Sequence, residues 1–393
     1  MILFVRSPYN FGKIYSGEEK MLEITNLRDG AILNRHHGTE TEDYLEIRVE
    51  GLADPQAEVT VNGQAVTRYD RQFFATVRLT QRINKITAAA SDYFGERTLT
   101  LTVMWDKKSF RRCHFFFDDC CFFMRWIAKN RPASIFDEMF LGRLKQIHEK
   151  YDSKFLLNLF YQDDHHKDFC LSDFPEDYRE EFQANRDWLR LSFHAQSEFP
   201  DRPYQHTDDE KLAADYDQVY NEVCRFAGAE CFMAPMVIHW AMTNPENFHV
   251  LQERGTKCLT GGFMGGVVSV KEKAHNVEVT DIGYHYEKDV TFYLNKAAYM
   301  MYDRKYDIII GTNVLCCNYS DIDAIRRRFA SLKPDRDVIG LMTHEQYSYP
   351  DYFNYIPNHL DRIEEACRLA AEYGCKSAWF AEGIWGNNAW EEK

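Results

Sequence analysis

From Met21 to Trp105 apolar and polar residues alternate in short runs. Leu45-Glu-Ile-Arg-Val49, Glu58-Val-Thr-Val61 and Leu99-Thr-Leu-Thr-Val103 alternate strictly, so each puts one face in a core and the other in water. Asn62-Gly63, set between two such runs, is the dipeptide a tight hairpin selects, because both turn positions need positive φ. Further strands are expected at Phe73–Leu79 and Asn84–Ala89, with turns near Gln81 and Tyr93–Glu96. About six or seven short strands across residues 20–106 predict a β-sandwich. Residues 1–19 carry no period and are expected to form an irregular arm.

Near Lys107 the period changes. Cys113-His-Phe-Phe-Phe-Asp-Asp-Cys-Cys-Phe-Phe123 begins as a continuous apolar run, the pattern of a strand buried on both faces. Phe155–Phe160, Leu189–Phe193, Cys231–Ile238, Cys258–Thr260, Asp307–Ile310, Val338–Met342 and Ser377–Phe380 are expected as further strands. Helical spacing marks Phe136–Tyr151, Asp209–Phe226, Asn247–Arg254 and Ile356–Tyr373, the last two closed by Gly255 and Gly374. A glycine-rich stretch from Gly261 to Val290 suggests a hairpin excursion. Strand–helix units repeated over residues 107–393 predict a distorted parallel (β/α)7–8 barrel.

The chemistry-bearing residues share one address on that frame. Asp118 and Asp119, His194, His239 and His344 each fall at the C-terminal end of an expected strand, the face where barrels build their sites. Adjacent carboxylates at the end of a buried strand repel, and a cation on one with a proton or water on the other relieves this. One carboxylate with two imidazoles is a sound set of ligands for a divalent metal that keeps an open position. A free carboxylate would then act as base and a separate histidine as acid.

These residues carry a resemblance. Phe116-Phe-Asp118-Asp119 and Leu341-Met-Thr-His344 resemble the first and last motifs of the polysaccharide deacetylase (NodB-homology) superfamily, which includes the family 4 carbohydrate esterases. The resemblance covers roughly Lys107 to Glu382 and implies a zinc-, nickel-, cobalt- or manganese-dependent hydrolase acting on an N- or O-acetylated sugar. It makes Asp118 the general base, Asp119 a metal ligand and His344 the proton donor. Phe193-His194-Ala-Gln-Ser-Glu198 has Glu198 where that family places a second histidine, with His206 farther on. Phe232-Met-Ala-Pro235 has Met233 where an arginine is usual, followed by His239-Trp240. The third ligand is therefore expected at His239, with Glu198 and His206 as alternatives. The segment before Lys107 resembles the bacterial Ig-like modules found beside carbohydrate-active domains.

Other residues are candidates for the cleft. Asp201 and Tyr204 lie in the loop after His194 and could form one wall, and Trp240 and Tyr347 could stack on a sugar ring. Glu345 follows His344 and is a further contact. Asp163-Asp164-His165-His166 reads as a solvated loop after a strand, within reach of the cleft. Gly261-Gly262 and Gly265-Gly266 lack the Lys-Ser/Thr of a phosphate loop, and no GxSxG elbow is present.

A net charge of −14 argues against nucleic-acid and anionic-membrane partners, which need basic patches. The eleven cysteines show no CxxC or zinc-finger spacing and are expected as reduced thiols. With no signal-peptide pattern at Met1 and no membrane-length apolar run, the cytoplasm is the expected location. Two rival functions remain open: a sugar-binding protein on a degenerate esterase scaffold, and a glycosidase pairing Asp118 with Glu345.

Overall fold

In a computed structural model the described residues are 21–93, 95–261, 285–294 and 299–391. The arm expected over residues 1–19 and most of the hairpin expected within 261–290 lie outside them.

Ten strands precede the α/β part: β1 (Leu22–Ile24), β2 (Ile32–Leu33), β3 (Gly38–Glu40), β4 (Leu45–Ala53), β5 (Glu58–Val61), β6 (Gln64–Ala65), β7 (Thr67–Tyr69), β8 (Gln72–Leu79), β9 (Ile83–Asp92) and β10 (Gly95–Trp105). They form two five-stranded sheets, β1-β4-β8-β7 with β3 beside β4, and β2-β10-β9-β5-β6. The alternating residues close one core between the sheets: Leu45, Ile47, Val49 and Phe73 from one, Val59, Val61, Ile86, Ala88 and Val103 from the other. Asn62 and Gly63 both hold positive φ and join β5 to β6, as their sequence requires. The strands outnumber those expected because several are only two or three residues long, too short to show a period.

The remaining elements alternate as β11 (Arg112–Cys120), α1 (Phe122–Asn130), α2 (Met139–Tyr151), β12 (Phe155–Phe160), α3 (Arg179–Asn185), β13 (Leu189–Ala195), α4 (Asp209–Phe226), α5 (Phe248–Gln252), β14 (Cys258–Gly261), α6 (Lys288–Tyr293), β15 (Met300–Asp303), β16 (Ile308–Thr312), β17 (Leu315–Cys316), α7 (Ile322–Ala330), β18 (Val338–His344), α8 (His359–Glu372) and β19 (Lys376–Ser377). A parallel sheet runs β13-β12-β11-β18-β17, with β19 beside the start of β11, and a smaller sheet runs β14-β16-β15. The chain is thus a multidomain β plus α/β protein whose parallel sheet resembles a distorted barrel.

The expected strand Cys231–Ile238 does not form as a regular strand. Phe232 bridges Leu191, Met233 N donates to Leu191 O, and Thr260 N donates to Met236 O. Pro235, which has no N–H, interrupts the ladder between those bonds. This extended segment spans the gap between β13 and β14, while bonds from Asn313 N to Gly261 O and Val314 N to Gly340 O link the two sheets on the other side. The last expected strand is also shorter, ending at Ser377.

Side chains of β11 alternate as a doubly buried strand requires. Phe115 and Phe117 face the helices, where Phe117 meets Phe140 edge to face, and Phe116 faces inward with Leu156, Met236 and Ile309. Trp379, Phe380, Ile384 and Trp385 share that inner cluster. At the N-terminal end of the strands Arg112 is fully buried. Its guanidinium pairs with Asp106 at 3.0 Å and donates to the carbonyls of Ile384 and Trp385. Asp106 also accepts from Asn387 Nδ2 and Ser109 Oγ. The two parts of the chain meet again where Ala31 bridges Met301 and Tyr302 N donates to Gly30 O. Gly30 has φ +82°, and a Cβ there would lie 2.3 Å from the Tyr302 carbonyl oxygen, so this contact needs glycine.

Candidate metal centre

Two ladder irregularities bring the polar residues together. Between Phe117 and Cys120 β11 carries one residue more than its partner β12, and Asp119 takes φ 58°. A strict period of two would send Asp119 outward with Phe117, but the bulge turns it inward beside Asp118. In β13 the ladder slips by one residue at His194, between Phe193 and Ala195. His239 lies on the turn after the irregular segment, where Trp240 and Ala241 both hold positive φ.

Asp119, His194 and His239 are all buried and form the one cluster of potential metal ligands found among the described residues. Asp119 Oδ1 stands 3.1 Å from His194 Nε2 and 3.4 Å from His239 Nδ1, and the two nitrogens are 3.1 Å apart. His239 Nε2 lies 2.9 Å from the carbonyl oxygen of Glu198. A carbonyl only accepts, so Nε2 carries the proton and Nδ1 turns a lone pair toward Asp119. The carboxylate oxygen, the His239 lone pair and His194 Nε2 converge closely enough for one positive centre, a metal ion or a proton on His194 Nε2, to sit between them. Ligands about 2.0–2.1 Å from a tetrahedral ion stand about 3.3 Å apart, which matches the triangle. The donor set can hold a divalent metal ion.

Asp118 adjoins this triangle. Its Oδ1 accepts a 2.7 Å hydrogen bond from Asn158 Nδ2 and lies 3.7 Å from His194 Nδ1. Burial and the Asp119 charge push the Asp118 carboxyl well above the usual range. Burial also works against ionisation of Asp119. The His344 charge and the adjoining imidazoles of His194 and His239 nevertheless hold its carboxyl well below that range. Burial lowers His194 to about 4, leaving a neutral ring suited to ligation. His344 Nε2 approaches Asp119 Oδ2 from another side at 3.9 Å, and burial lowers this imidazole too.

The other candidates separate. His206 is exposed and outside the cluster. The Glu198 side chain points away from it, pairing with His165 and accepting from Gln346 Nε2 at 2.9 Å, although its carbonyl holds His239. Asp201 is exposed in its loop. Trp240 is half-buried beside His239 with the Arg202 guanidinium over its ring, and the Tyr347 ring lies 5.9 Å from that of His344. Tyr204 and Glu345 are fully buried and offer no surface to a substrate. The Tyr204 hydroxyl donates to Asp215, while the Glu345 carboxylate accepts from the backbone N–H groups of Cys121, Phe122 and Phe123 and caps α1. Nor is Asp163–His166 a solvated run. Asp163 is fully buried and accepts from His165 N, His166 N and His166 Nδ1, pinning that loop beside Glu198.

Sequence reasoning missed Asn158, although a lone amide inside Phe155-Leu-Leu-Asn-Leu-Phe160 was a visible signal. It also missed Asn318, which follows a two-residue strand and carries no pattern at all. Exposed aromatic rings lie beside His344 and His165. Tyr319 is 6.1 Å from His344 between ring centroids, and Phe199 and Phe353 flank His165.

No protein-family model matches the chain, and no curated protein matches it. Among solved structures it is similar to a Bacteroides ovatus GH5 xyloglucanase in complex with a XXXG heptasaccharide. The identity is 11%, over 88% of this chain and 100% of that chain, with a TM-score of 0.23. A likeness that loose bears on neither fold nor activity. Among the described residues no helix is long and apolar enough to cross a membrane.

Proposed function

We propose that the chain is a metal-dependent hydrolase of the polysaccharide deacetylase type, removing an acetyl group from an N- or O-acetylated sugar. The observation that carries this reading is the buried Asp119–His194–His239 triangle with a second carboxylate, Asp118, at its edge and a separate imidazole, His344, across it. Asp119, His194 and His239 would hold a divalent ion, zinc being our first choice, which would supply Lewis acidity for the acyl carbonyl and for water. Asp118, its proton affinity raised by burial, takes the proton of the attacking water as the oxygen adds to the acyl carbon. His344 gives a proton to the departing amine or alkoxide as the C–N or C–O bond breaks, leaving acetate and the free sugar. Trp240, Tyr347 and the exposed rings of Tyr319, Phe199 and Phe353 are the surfaces we assign to the sugar. The N-terminal two-sheet unit is read as an Ig-like module that packs rather than binds.

Metal analysis of wild type, His194→Ala and His239→Ala, with acetate release from chitin and xylan oligosaccharides before and after chelation, tests the reading. Near-stoichiometric metal that both variants lose, together with chelator-sensitive release, supports it. A protein that takes up no ion even when one is supplied would sink it. Bound metal without acetate release, in wild type as in Asp118→Asn, would leave a sugar-binding scaffold instead.

A further inference from the structure

Three polar groups converge on the side-chain oxygen of one residue outside the triangle. Asn318 Oδ1 lies 2.9 Å from Cys316 Sγ, 3.1 Å from Thr343 Oγ1 and 3.0 Å from His344 Nδ1. Asn318 is buried, and its Nδ2 has no hydrogen-bond partner among the described residues. An amide oxygen only accepts, so all three neighbours must donate. The thiol and the hydroxyl can each do so, and His344 can do so only with a proton on Nδ1. The reverse orientation of the amide would set an NH2 group against a thiol whose S–H then has no acceptor there. The hub is anchored from behind: Thr343 Oγ1 lies 2.7 Å from His359 Nε2, and Ser348 Oγ lies 2.8 Å from His359 Nδ1. With the Thr343 hydroxyl proton directed at Asn318, His359 must donate from Nε2 to Thr343 and accept from Ser348 at Nδ1. Apart from the Asn318 NH2 group, every donor in this network has an acceptor, and His359 is fully buried.

We propose that Asn318 is a positioning residue for His344, fixing its Nδ1–H tautomer and thereby presenting Nε2 to the metal centre. The placement agrees: it is Nε2 that lies 3.9 Å from Asp119. In the Nδ1–H form Nε2 carries a lone pair, so it takes up a proton there, becoming an imidazolium, before passing it to the leaving group. Without the acceptor the ring can turn and the opposite tautomer can form, so that nitrogen is no longer held in place. The catalytic consequence rests on the hydrolase reading above, but the tautomer does not, and the two can fail separately.

The test is long-range 15N–1H NMR of the histidine rings in the full-length protein, with His344 assigned from His344→Gln. Wild type is expected to show the Nδ1–H form. Asn318→Ala and the better-filling Asn318→Leu are expected to move it toward Nε2–H, while Asn318→Asp, which keeps an acceptor oxygen, retains Nδ1–H. In acetate release both acceptor-deleting variants should lower kcat about 10- to 100-fold with KM within about twofold, and Asn318→Asp should recover most of that loss. A wild-type ring protonated on Nε2, or an unchanged tautomer in both acceptor-deleting variants, overturns the proposal. The expected tautomer shifts in a protein that releases no acetate would uphold the Asn318–His344 relationship and overturn the hydrolase reading.

Discussion

Asn158 Nδ2 donates to Asp118 Oδ1 over 2.7 Å, so the carboxylate beside the candidate metal centre is steadied by a neutral amide. A cation there would stabilise the charged carboxylate and weaken it as a base. The amide orients the group, while burial and Asp119 keep its proton affinity high. On the proposed hydrolase reading Asn158 is the partner of the base Asp118, and Met233 stands where the deacetylase motif has an arginine.

Asp118→Asn is expected to lower kcat for acetate release about 10²- to 10⁴-fold while metal content stays at the wild-type level. Asn158→Ala should keep its metal too and lose about 10- to 100-fold. Metal analysis alongside steady-state kinetics checks both, and loss of metal in Asp118→Asn would move Asp118 into the ligand set.

The ligand geometry sorts the histidines and acids. His194→Ala and His239→Ala should each abolish stoichiometric binding, and Asp119→Ala should do the same. His206→Ala should leave affinity within about twofold. Glu198→Ala should weaken it less than about 100-fold, since the carbonyl that orients His239 survives the substitution. Calorimetric titration of metal-free protein with zinc distinguishes these levels.

Several rings are buried neutral. Burial lowers His114 and His359 to about 3 and His194 to about 4. A histidine depressed in the folded state gains its proton first in the unfolded chain. Stability therefore falls as pH drops below about 6.5 and goes on falling until the folded-state values are reached, at a slope of about 1.4 kcal/mol per pH unit for each ring. His114, T-shaped to Trp385 and with no partner for its Nε2 among the described residues, can be replaced with little change of shape. Urea unfolding of metal-free His114→Phe should show a pH profile shallower by about one proton between pH 6 and 4. A profile parallel to wild type would show that this ring does not contribute.

Glu345 bears on stability rather than on chemistry. Burial pushes its carboxyl up to about 8, against the three N–H donors that favour the charged form. Glu345→Ala leaves the first turn of α1 without those acceptors and should cost about 2 kcal/mol or more in urea unfolding. The glycosidase alternative assigned Glu345 a catalytic role, and a fully active but destabilised Glu345→Ala would close that route.

Much of the frame was legible because burial and period agree. Asp209–Phe226 forms as its spacing predicts, and β11 and β12 sit on their apolar runs. Asp119 and His194 meet at strand ends as expected, whereas His239 joins them from a turn after an extended segment that forms no regular strand. What the sequence concealed depends on distant partners. Helix α1 starts at Phe122 without a capping residue of its own, because its cap is Glu345, 224 positions after Cys121. Asp163 looks solvated in a polar run, yet its own loop supplies three donors that allow burial. The bulge at Asp119 has no local marker: aspartate gives no warning that it will take a left-handed conformation inside a strand.

Arg112 opens the strand that Asp118 and Asp119 close, and it draws acceptors from Asp106, Ile384 and Trp385, residues lying on both sides of the α/β part in the chain. The border between the two units is therefore not a hinge across which modules could be exchanged like beads on a string. Grafting the α/β part onto another protein, or trimming its tail for convenience, would strip the foundation from the strand that carries both carboxylates. Any transplant of this centre has to be cut with its neighbours attached.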